Sequence, residues 1–223
     1  MAPARAVEAR GDTRDTREAI LIAALRIFAS KGYDAASTRE IANEAGINHG
    51  LIRYYFGSKA QLWKDAVDRA FAALEAGLEA IADDPAIPND RERAGLLLRN
   101  YVRFVARHPE FVHLMHEEGK RPGPRMRWIV DRHVRRLFEG VTALLGAAEG
   151  PGVLRVDLPP IHLHYIIAGA VGLFFHQAAE CKRLSGIDPF DEATVETHAR
   201  AVEELLLGPA PASDNPQPEE QLA

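Results

Sequence analysis

The segment from Ile161 to about Lys182 constrains the fold most, because it has the length of a helix and its middle is apolar on every side. The run Tyr165 to Phe175 has 11 residues without a charged or strongly polar side chain, too few to span a bilayer. A helix that is apolar all round must be buried all round. In a chain of 223 residues this is easiest if one face packs on the protein's own core and the other on a second subunit.

The other periodic segments also predict helices, and no strand pattern stands out. With 47% hydrophobic and 26% charged residues, the composition is that of a globular protein, which excludes collagen-like, mostly disordered and membrane-embedded classes. We therefore predict an all-α fold. The helices are expected at approximately residues 15–30, 38–45, 49–55, 59–82, a segment ending before Pro109, a short one opening at Pro109, then 125–145, 161–182 and 191–207.

The two ends of the chain and its cysteine content bear on where the protein works. Residues 1–13 lack the continuous apolar stretch of a signal peptide, so we expect a flexible amino-terminal arm. The single cysteine, Cys181, cannot form an internal disulfide and is expected to pack as a small apolar residue, which favours a reducing cytoplasm. Residues 208–223 are rich in Pro, Ala and acidic residues and are expected to be disordered.

Two short predicted helices, 38–45 and 49–55, have the spacing of a helix-turn-helix, with Gly46 at the turn and a new cap at Asn48. Capping-box spacing occurs at two helix starts, in which a hydroxyl covers a free amide and a Glu or Gln three residues later reaches back. These pairs are Ser37 with Glu40 and Ser58 with Gln61. The apolar set that locks the two helices comprises Ile41, Ala45, Ile47 and Ile52.

The second short helix is free to enter a DNA major groove. Arg53 can bind a guanine edge or a phosphate, His49 and Tyr54 can donate to phosphate or base, and Leu51 can meet a thymine methyl. Gly50 removes a side chain where the backbone comes close to DNA. Backbone amides at helix starts, together with their neighbours, predict phosphate contacts by Ser37, Thr38, Arg39, Asn48 and Lys59. Equally, short helices joined at a glycine occur in many helical proteins that never touch DNA.

Four motifs between Thr16 and Phe71 resemble the DNA-binding domain of the tetracycline-repressor (TetR/AcrR) family. They are Phe28-Ala-Ser-Lys-Gly-Tyr33, Ser37-Thr-Arg-Glu-Ile-Ala42, Ala45-Gly-Ile-Asn48, and Tyr54-Tyr-Phe-Gly-Ser-Lys59 with Leu62. The resemblance implies a homodimeric, ligand-responsive regulator, most often a repressor, that binds a palindromic operator in double-stranded DNA. It departs from the family pattern at Arg53, where an aromatic residue is usual, and at Leu51, where Thr is common.

By this resemblance, residues 14–64 form the helix-turn-helix head and residues 65–207 form a body that binds a small-molecule effector and dimerises through its last two long helices. Aromatic and polar side chains in the body are candidates for an effector site, although each can equally be plain core. These candidates are Tyr101, Phe104, Phe111, Met115, Trp128, Phe174 and His176. No cofactor and no membrane partner are expected.

Net charge at first argues against DNA, since the chain carries a formal charge of -5. Residues 1–64, however, contain ten Lys and Arg against seven Asp and Glu, whereas the remainder contains 17 against 25. A basic head on an acidic body limits how DNA can approach.

Two other classes of protein remain open at this point. His113, His116 and Glu117 share a helix face, so a metal site or an acid and base pair is geometrically possible, although no third ligand is defined by spacing and no metal is predicted. No motif of a nucleophile elbow, phosphate loop, zinc protease or dinucleotide fold occurs, which disfavours an enzyme. A dimeric small-molecule carrier without DNA binding is the further alternative.

Overall fold

A computed structural model describes residues 4–120, 122–146 and 158–209. Within these ranges the chain is helical and has no strand, as predicted. Its helices are α1 (Ala4–Ala35), α2 (Thr38–Glu44), α3 (Gly50–Phe56), α4 (Lys59–Ala82), α5 (Asp90–Arg107), α6 (Pro109–Gly119), α7 (Pro124–Ile129), a π-helical turn (Val130–Val134), α8 (Arg135–Gly146), α9 (Pro160–His176), α10 (Ala178–Ser185) and α11 (Glu192–Leu207).

Helix boundaries differ from the prediction at the start of α1 and at the end of α9. Helix α1 begins at Ala4, so residues 4–13, expected to form a flexible arm, are helical. The predicted stop at Lys31-Gly32 is present as a break in the helix, where Gly32 has φ +75°. The predicted helix 161–182 is divided at Gln177, whose φ of -99° and ψ of 31° end α9 and open α10.

The start of the predicted disordered tail is held by the body. The guanidinium of Arg91 donates to the carbonyl oxygens of Leu207, Gly208 (2.7 Å) and Pro209 (2.9 Å), which satisfies carbonyl groups at the end of α11. The described chain therefore stays ordered through Pro209. Residues 210–223 of the predicted tail lie outside the described residues.

The head is α1, α2, α3 and the first turns of α4 packed around one apolar cluster. Its fully buried side chains come from all four helices: Ile20, Phe28, Ile41, Ile52 and Leu62. Burying a side chain of this size stabilises a fold by about 1.5–3 kcal/mol. The cluster holds α3 by one face only and leaves its other face to solvent.

The body packs α5 against α11 and against α9, with α6 between α9 and the head. The α5–α11 contact carries a two-bond ion pair from Arg103 to Glu196, with both N–O distances 2.6 Å. Gly172 of α9 lies so close to α6 that a Cβ there would be 3.3 Å from a methyl group of Val112. These close contacts fix the position of α9 in the body.

Helix α9 has one buried and one exposed apolar face. Leu163, Val171 and Phe175 are buried in the core. The exposed apolar side chains of α9 and α10, which we call the α9–α10 stripe, are Ile161, Tyr165, Ile166, Leu173 and Leu184. Cys181 and Leu173 line an open groove of about 490 Å³ on this side. The stripe is the face that the sequence assigned to a second subunit.

Helix α4 connects the head to the body. The π-helical turn and the start of α8 lie along it and donate to its carboxylates: Arg132 and His133 to Asp68 (2.6 and 2.8 Å) and Arg136 to Glu75 (2.6 Å). The ring of His133 also stacks on Phe71 of α4 at 4.3 Å. These contacts join the π-helical turn and α8 to the helix that is rooted in the head. No helix among the described residues has the length and apolarity needed to cross a membrane.

Candidate nucleic-acid interface

The first turn of α2 is closed by the capping box that the sequence predicts. The hydroxyl oxygen of Ser37 accepts from the backbone N–H of Glu40 (3.1 Å), and the Glu40 carboxylate accepts from the backbone N–H of Ser37 (3.1 Å). Lys31 donates to the same carboxylate at 2.6 Å. Hydrogen bonds from Lys31, then from Ser37, hold the pKa of Glu40 below its ordinary value.

The turn between α2 and α3 is fixed by backbone hydrogen bonds. The N–H of Ile47 donates to the carbonyl of Ala42 (3.0 Å), and the N–H of Gly46 donates to the carbonyl of Asn43 (3.1 Å). This pair of bonds is a Schellman motif, which needs a left-handed residue at its second-last position. Gly46 supplies it with φ +67°. The angle between the two helices is therefore set by the glycine that the sequence placed at the turn.

Asn48 caps the start of α3 through its side chain. Its amide oxygen accepts from the backbone N–H of Gly50 at 2.8 Å. A Cβ at position 50 would lie 3.2 Å from that same oxygen, so the missing side chain of Gly50 also protects this hydrogen bond. The expected close approach of the Gly50 backbone to DNA is a separate role that stays a prediction.

The two faces of α3 differ in chemistry as predicted. Ile52 and Phe56 are buried in the head, whereas Arg53 and Tyr54 are exposed, Tyr54 by 78%. Leu51 is half-buried and lies between the two faces. Tyr54 leans edge-on against Tyr55 at 5.1 Å between ring centres, which limits its motion. The exposed face thus combines a cation, hydroxyl donors and an apolar edge.

The predicted phosphate contacts lie around the starts of α2, α3 and α4. The hydroxyl of Thr38 is hydrogen-bonded to Nε2 of His49 at 2.9 Å, which ties the first turns of α2 and α3 together. Arg39 is exposed. Lys59 instead lies over the ring of Tyr33 at 4.6 Å, with Nζ 3.4 Å from the Asp34 carbonyl oxygen, so its side chain folds back on α1.

The second predicted capping box is only half formed. The Ser58 hydroxyl accepts from the N–H of Gln61 at 3.1 Å, as expected. The Gln61 amide does not reach back and donates instead to Asp65 at 2.6 Å. Asp65 also pairs with Arg17 of α1 at 2.6 Å. A long-range ion pair thus positions the carboxylate that captures Gln61.

The predicted effector residues do not form one cluster. Phe104 and Phe111 pack together at 5.3 Å between ring centres. Tyr101 and Met115, each partly buried, border the same core. Burial raises the pKa of Tyr101 to about 12. Trp128 lies elsewhere, 5.5 Å from Trp63 of α4. Phe174 stacks on His198 at 4.3 Å between ring centres. His176 lies beside a pair of histidines on α6.

That pair is His113 and His116 of α6, whose ring centres lie 4.9 and 4.1 Å from His176 of α9. Burial and then the two neighbouring histidines hold the pKa of His176 below its ordinary value. Glu117 turns away to bind Lys120. Among the residues that the structure describes, no group of three or more His, Cys, Asp and Glu is arranged to hold a metal ion.

Sequence reasoning missed a second feature, a pocket between the head and the body with a volume of about 250 Å³. Tyr33, Trp63, Lys64, Arg125 and Trp128 line it. No local pattern signalled it, because its walls come from α1, the start of α4 and α7, which are far apart in the sequence. Of the two tryptophans that line it, only Trp128 was predicted to line a site, as an effector contact in the body.

A helical head that presents an exposed recognition helix, joined by one long helix to a larger helical body, defines the class of helix-turn-helix DNA-binding regulators. The family described as "Bacterial regulatory proteins, tetR family" matches residues 20–66, and "Tetracyclin repressor-like, C-terminal domain" matches residues 92–206. The chain belongs to this family.

Relatives and solved structures agree with that membership. The chain is 31% identical over 161 residues to the transcriptional repressor NicS of Pseudomonas putida, covering 69% of this chain and 72% of NicS. It is 29% identical over 150 residues to the repressor KstR2 of Mycobacterium tuberculosis, covering 66% and 74% of the two chains. The structure of AibR with isovaleryl coenzyme A and operator DNA superposes with a TM-score of 0.68, 22% identity, and coverage of 87% and 100%.

The chain is accordingly a DNA-binding transcriptional regulator of this family. Among the proteins it is similar to, NicS and KstR2 are repressors, and the AibR structure contains isovaleryl coenzyme A and operator DNA. Regulators rather than enzymes make up its family, so neither a motif-less enzyme nor a carrier without DNA binding is favoured.

Proposed function

We propose that this repressor binds a palindromic operator as a dimer, with α3 of each head in the major groove, and that an effector in the body releases it. The observation that carries the proposal is the exposed face of α3, on which Arg53 and Tyr54 project from a helix whose opposite face is locked into the head. Two heads related by a two-fold axis read half-sites one helical turn, or a multiple of it, apart. Because the target is chromosomal, we place the protein in the cytoplasm.

Base reading is assigned to the outward residues of α3. Arg53 supplies two parallel donors to a guanine edge, and Leu51 meets a thymine methyl from its half-buried position. His49 and Tyr54 donate to bases or phosphates at the edges of the groove. The hydrogen bond from His49 to Thr38 keeps the start of α3 aligned with α2, so both helices meet DNA in one register.

Positioning on the phosphate backbone is assigned to the helix starts. Free amides at the start of α2, with Ser37, Thr38 and Arg39 beside them, suit a phosphate oxygen. Asn48 and Gly50 bring the backbone of α3 close to the groove. Lys59 must leave the ring of Tyr33 to reach a phosphate, a change of contact that DNA binding would drive.

The effector is assigned to the body between α5, α6 and α9. Phe104, Phe111, Tyr101 and Met115 provide apolar surface, and His176 of α9 contacts His113 and His116 of α6. Two predicted residues lie apart from this region: Phe174 stacks on His198, and Trp128 packs on Trp63. Effector binding weakens DNA binding only by its differential affinity for two arrangements of the heads. Helix α4, which is rooted in the head and paired with the π-helical turn, is the lever between them.

The test begins with selection of bound genomic fragments, followed by affinity measurements on the recovered site. Arg53→Ala should weaken binding by about 1–3 kcal/mol and relax the preference at one base pair. Lys59→Ala should weaken all sequences alike and reduce the salt slope by about one. Arg107→Ala, an exposed arginine at the end of α5, is the matched control.

Two results would contradict the proposal. One is wild-type operator affinity in both the Arg53 and the Lys59 variant, which would show that these residues do not contact DNA. The other is failure to enrich any palindrome at moderate salt, which would favour a small-molecule carrier or an enzyme over an operator-binding regulator. Acyl-coenzyme A thioesters are one arm of the effector screen, because the AibR and Bacillus subtilis FadR structures contain isovaleryl and stearoyl thioesters.

A further inference from the structure

The pocket between the head and the body, which we call the junction pocket, has walls from both units. Tyr33 belongs to α1 and Trp63 and Lys64 to the start of α4, whereas Arg125 and Trp128 belong to α7. Its volume is about 250 Å³. A cavity of about 150 Å³ already holds benzene, and drug-sized ligands need about 300 Å³ or more. The size therefore fits a molecule of one or two fused rings.

Three aromatic rings surround this volume. Tyr33 meets Trp63 edge-on at 6.2 Å between ring centres, and Trp63 meets Trp128 at 5.5 Å with a tilt of 56°. Rings at these distances are in contact with one another, so a flat ligand ring would lie against their pocket-facing sides and not between them. A planar aromatic ligand is the shape that such walls accept.

A buried hydrogen-bond donor belongs to the same wall. Trp63 is 1% exposed, and its indole N–H has no acceptor among the described residues. A buried N–H without a partner costs about 1–3 kcal/mol, so most such groups are paired in native structures. Because this N–H is buried, an acceptor atom on a ligand reaches it only when the indole turns toward the junction pocket.

Positive charge dominates the rim. Arg125 and Lys59 lie over Tyr33 at 4.3 and 4.6 Å, and Lys64 and Arg132 lie near Trp128 at 5.6 and 5.7 Å. Glu118 neutralises Arg125 through contacts of 2.9 Å, and Asp68 neutralises Arg132 at 2.6 Å.

Lys64 differs from these arginines, because it forms no ion pair within the described ranges. Its ammonium group therefore remains available to an anion. An aromatic cage can also hold a quaternary ammonium ligand. Here that occupant is disfavoured, because cationic side chains of the protein already lie over the rings.

We propose that the junction pocket binds a small planar aromatic carboxylate, which pairs with Lys64 and, once the Trp63 ring turns toward it, accepts a hydrogen bond from the indole. The occupant touches the head through α1 and α4 and the body through α7, at a place separate from the Phe104 and Phe111 region. It adds negative charge one turn from Lys59 and wedges the head against the body. Operator affinity therefore falls when the junction pocket is occupied, a consequence that rests on the proposed function.

Intrinsic tryptophan fluorescence reports on this pocket alone, because both tryptophans of the chain line it. The full-length protein, without DNA, is titrated with benzoate, and calorimetry gives the same affinity by a second method. Saturable binding of benzoate is expected. Cyclohexanecarboxylate has the charge without the flat ring, benzyl alcohol has the ring without the charge, and tetramethylammonium carries the opposite charge. All three should bind at least about tenfold more weakly.

Variants locate the binding. Lys64→Met removes the charge and Trp63→Phe removes the N–H while Trp128 keeps reporting, so each should weaken benzoate binding about tenfold. Lys182→Met, on α10 and far from the pocket in the fold, should change nothing. Thermal midpoints, measured in parallel, identify a variant that is misfolded rather than defective in binding. Trp128→Phe, which keeps Trp63 and its N–H, is the matched control for Trp63→Phe.

The proposal is overturned by equal binding of benzoate and cyclohexanecarboxylate, by preference for tetramethylammonium, by no saturation at all, or by unchanged affinity in folded Lys64 and Trp63 variants. DNA is then added as a separate step. If the protein binds benzoate but selects no palindrome, the junction-pocket proposal stands and the proposed operator function is wrong. If it selects a palindrome but does not bind benzoate, the operator function stands and the junction-pocket proposal is wrong.

Discussion

Helices α3 and α9 are each buried on one face and exposed on the other, and their exposed faces differ in chemistry. On α3 the exposed face carries Arg53 and the hydroxyl of Tyr54. On α9 it carries Ile166 and Leu173, which offer no charge and no donor. A charged and hydrogen-bonding face suits DNA, whereas a contiguous apolar stripe marks a protein interface. The exposed face of a half-buried helix thus indicates the class of partner.

The two helices also differ in what holds them. The start of α3 depends on bonds between near neighbours in sequence, such as Asn48 to Gly50 and the turn at Gly46. Helix α9 depends on contacts from distant parts of the chain, including His198 of α11, whose Nε2 lies 2.9 Å from the Ala170 carbonyl oxygen. The start of α3 is therefore locally determined, whereas the position of α9 is determined by tertiary packing.

The largest expected effect comes from breaking the α9–α10 stripe. Leu173→Asp places a carboxylate in the proposed dimer interface, where it would lose water without gaining a partner. The protein should become monomeric in sedimentation, and operator affinity should fall about 100-fold or more because two half-sites are no longer linked.

Ala72→Asp, an exposed position on α4, is the control and should leave both quantities unchanged. A dimeric Leu173→Asp protein with normal operator affinity would show that the stripe is not the interface.

Local determination of the head is tested at its turn glycine. Gly46→Ala forces a side chain into the left-handed region and should cost about 1–2 kcal/mol of unfolding free energy. Gly140→Ala, in the exposed interior of α8 with no heavy atom within 4 Å of its Cβ, should instead stabilise the protein by up to about 1 kcal/mol. Urea denaturation measures both. Effects of the same sign would refute the comparison.

The capping box predicts a smaller loss. Ser37→Ala removes the acceptor for the Glu40 N–H and should cost about 1 kcal/mol in thermal or urea unfolding. The matched change is Ser30→Ala, whose hydroxyl donates only to the Ile27 carbonyl within α1. Since alanine is the better helix former, that variant should be neutral or slightly more stable. Equal losses at both serines would contradict a specific role for the cap.

The smallest expected effects are on the pH dependence of stability, to which His198 in the body and Glu40 in the head contribute over different pH ranges. Burial holds the pKa of His198 below its ordinary 6.5, so the unfolded chain takes up the proton first and stability falls as the pH drops below 6.5. The lowered pKa of Glu40 contributes stability above its ordinary 4.5, which is lost as the pH falls through the folded value.

Thermal midpoints across this range should therefore flatten near pH 6 in His198→Phe and below pH 4.5 in Glu40→Gln. If each variant flattened the thermal midpoint in the other's pH range, or if neither changed its dependence on pH, then other groups would control the loss of stability in acid.

Prediction from sequence succeeded where the determinant is local. The cap at Ser37, the turn at Gly46 and the buried set around Ile41 and Ile52 depend on residues within a few positions of one another. It was wrong at Gln61, whose side chain donates to Asp65 one turn along α4 and does not reach back to Ser58. Asp65 also pairs with Arg17, 48 positions away, a contact that no local pattern predicts.

Helical periodicity and capping chemistry by themselves determined an all-α chain, a helix-turn-helix head and an α9 segment with two apolar faces. Tertiary structure alone decided that Trp128 joins Trp63 in the junction pocket instead of joining Phe104 and Phe111, and that Lys59 folds over Tyr33. The physical reason is range. A helix and its caps are set by bonds within four residues, whereas a pocket is set by which helices pack together, and no short stretch of sequence contains that packing.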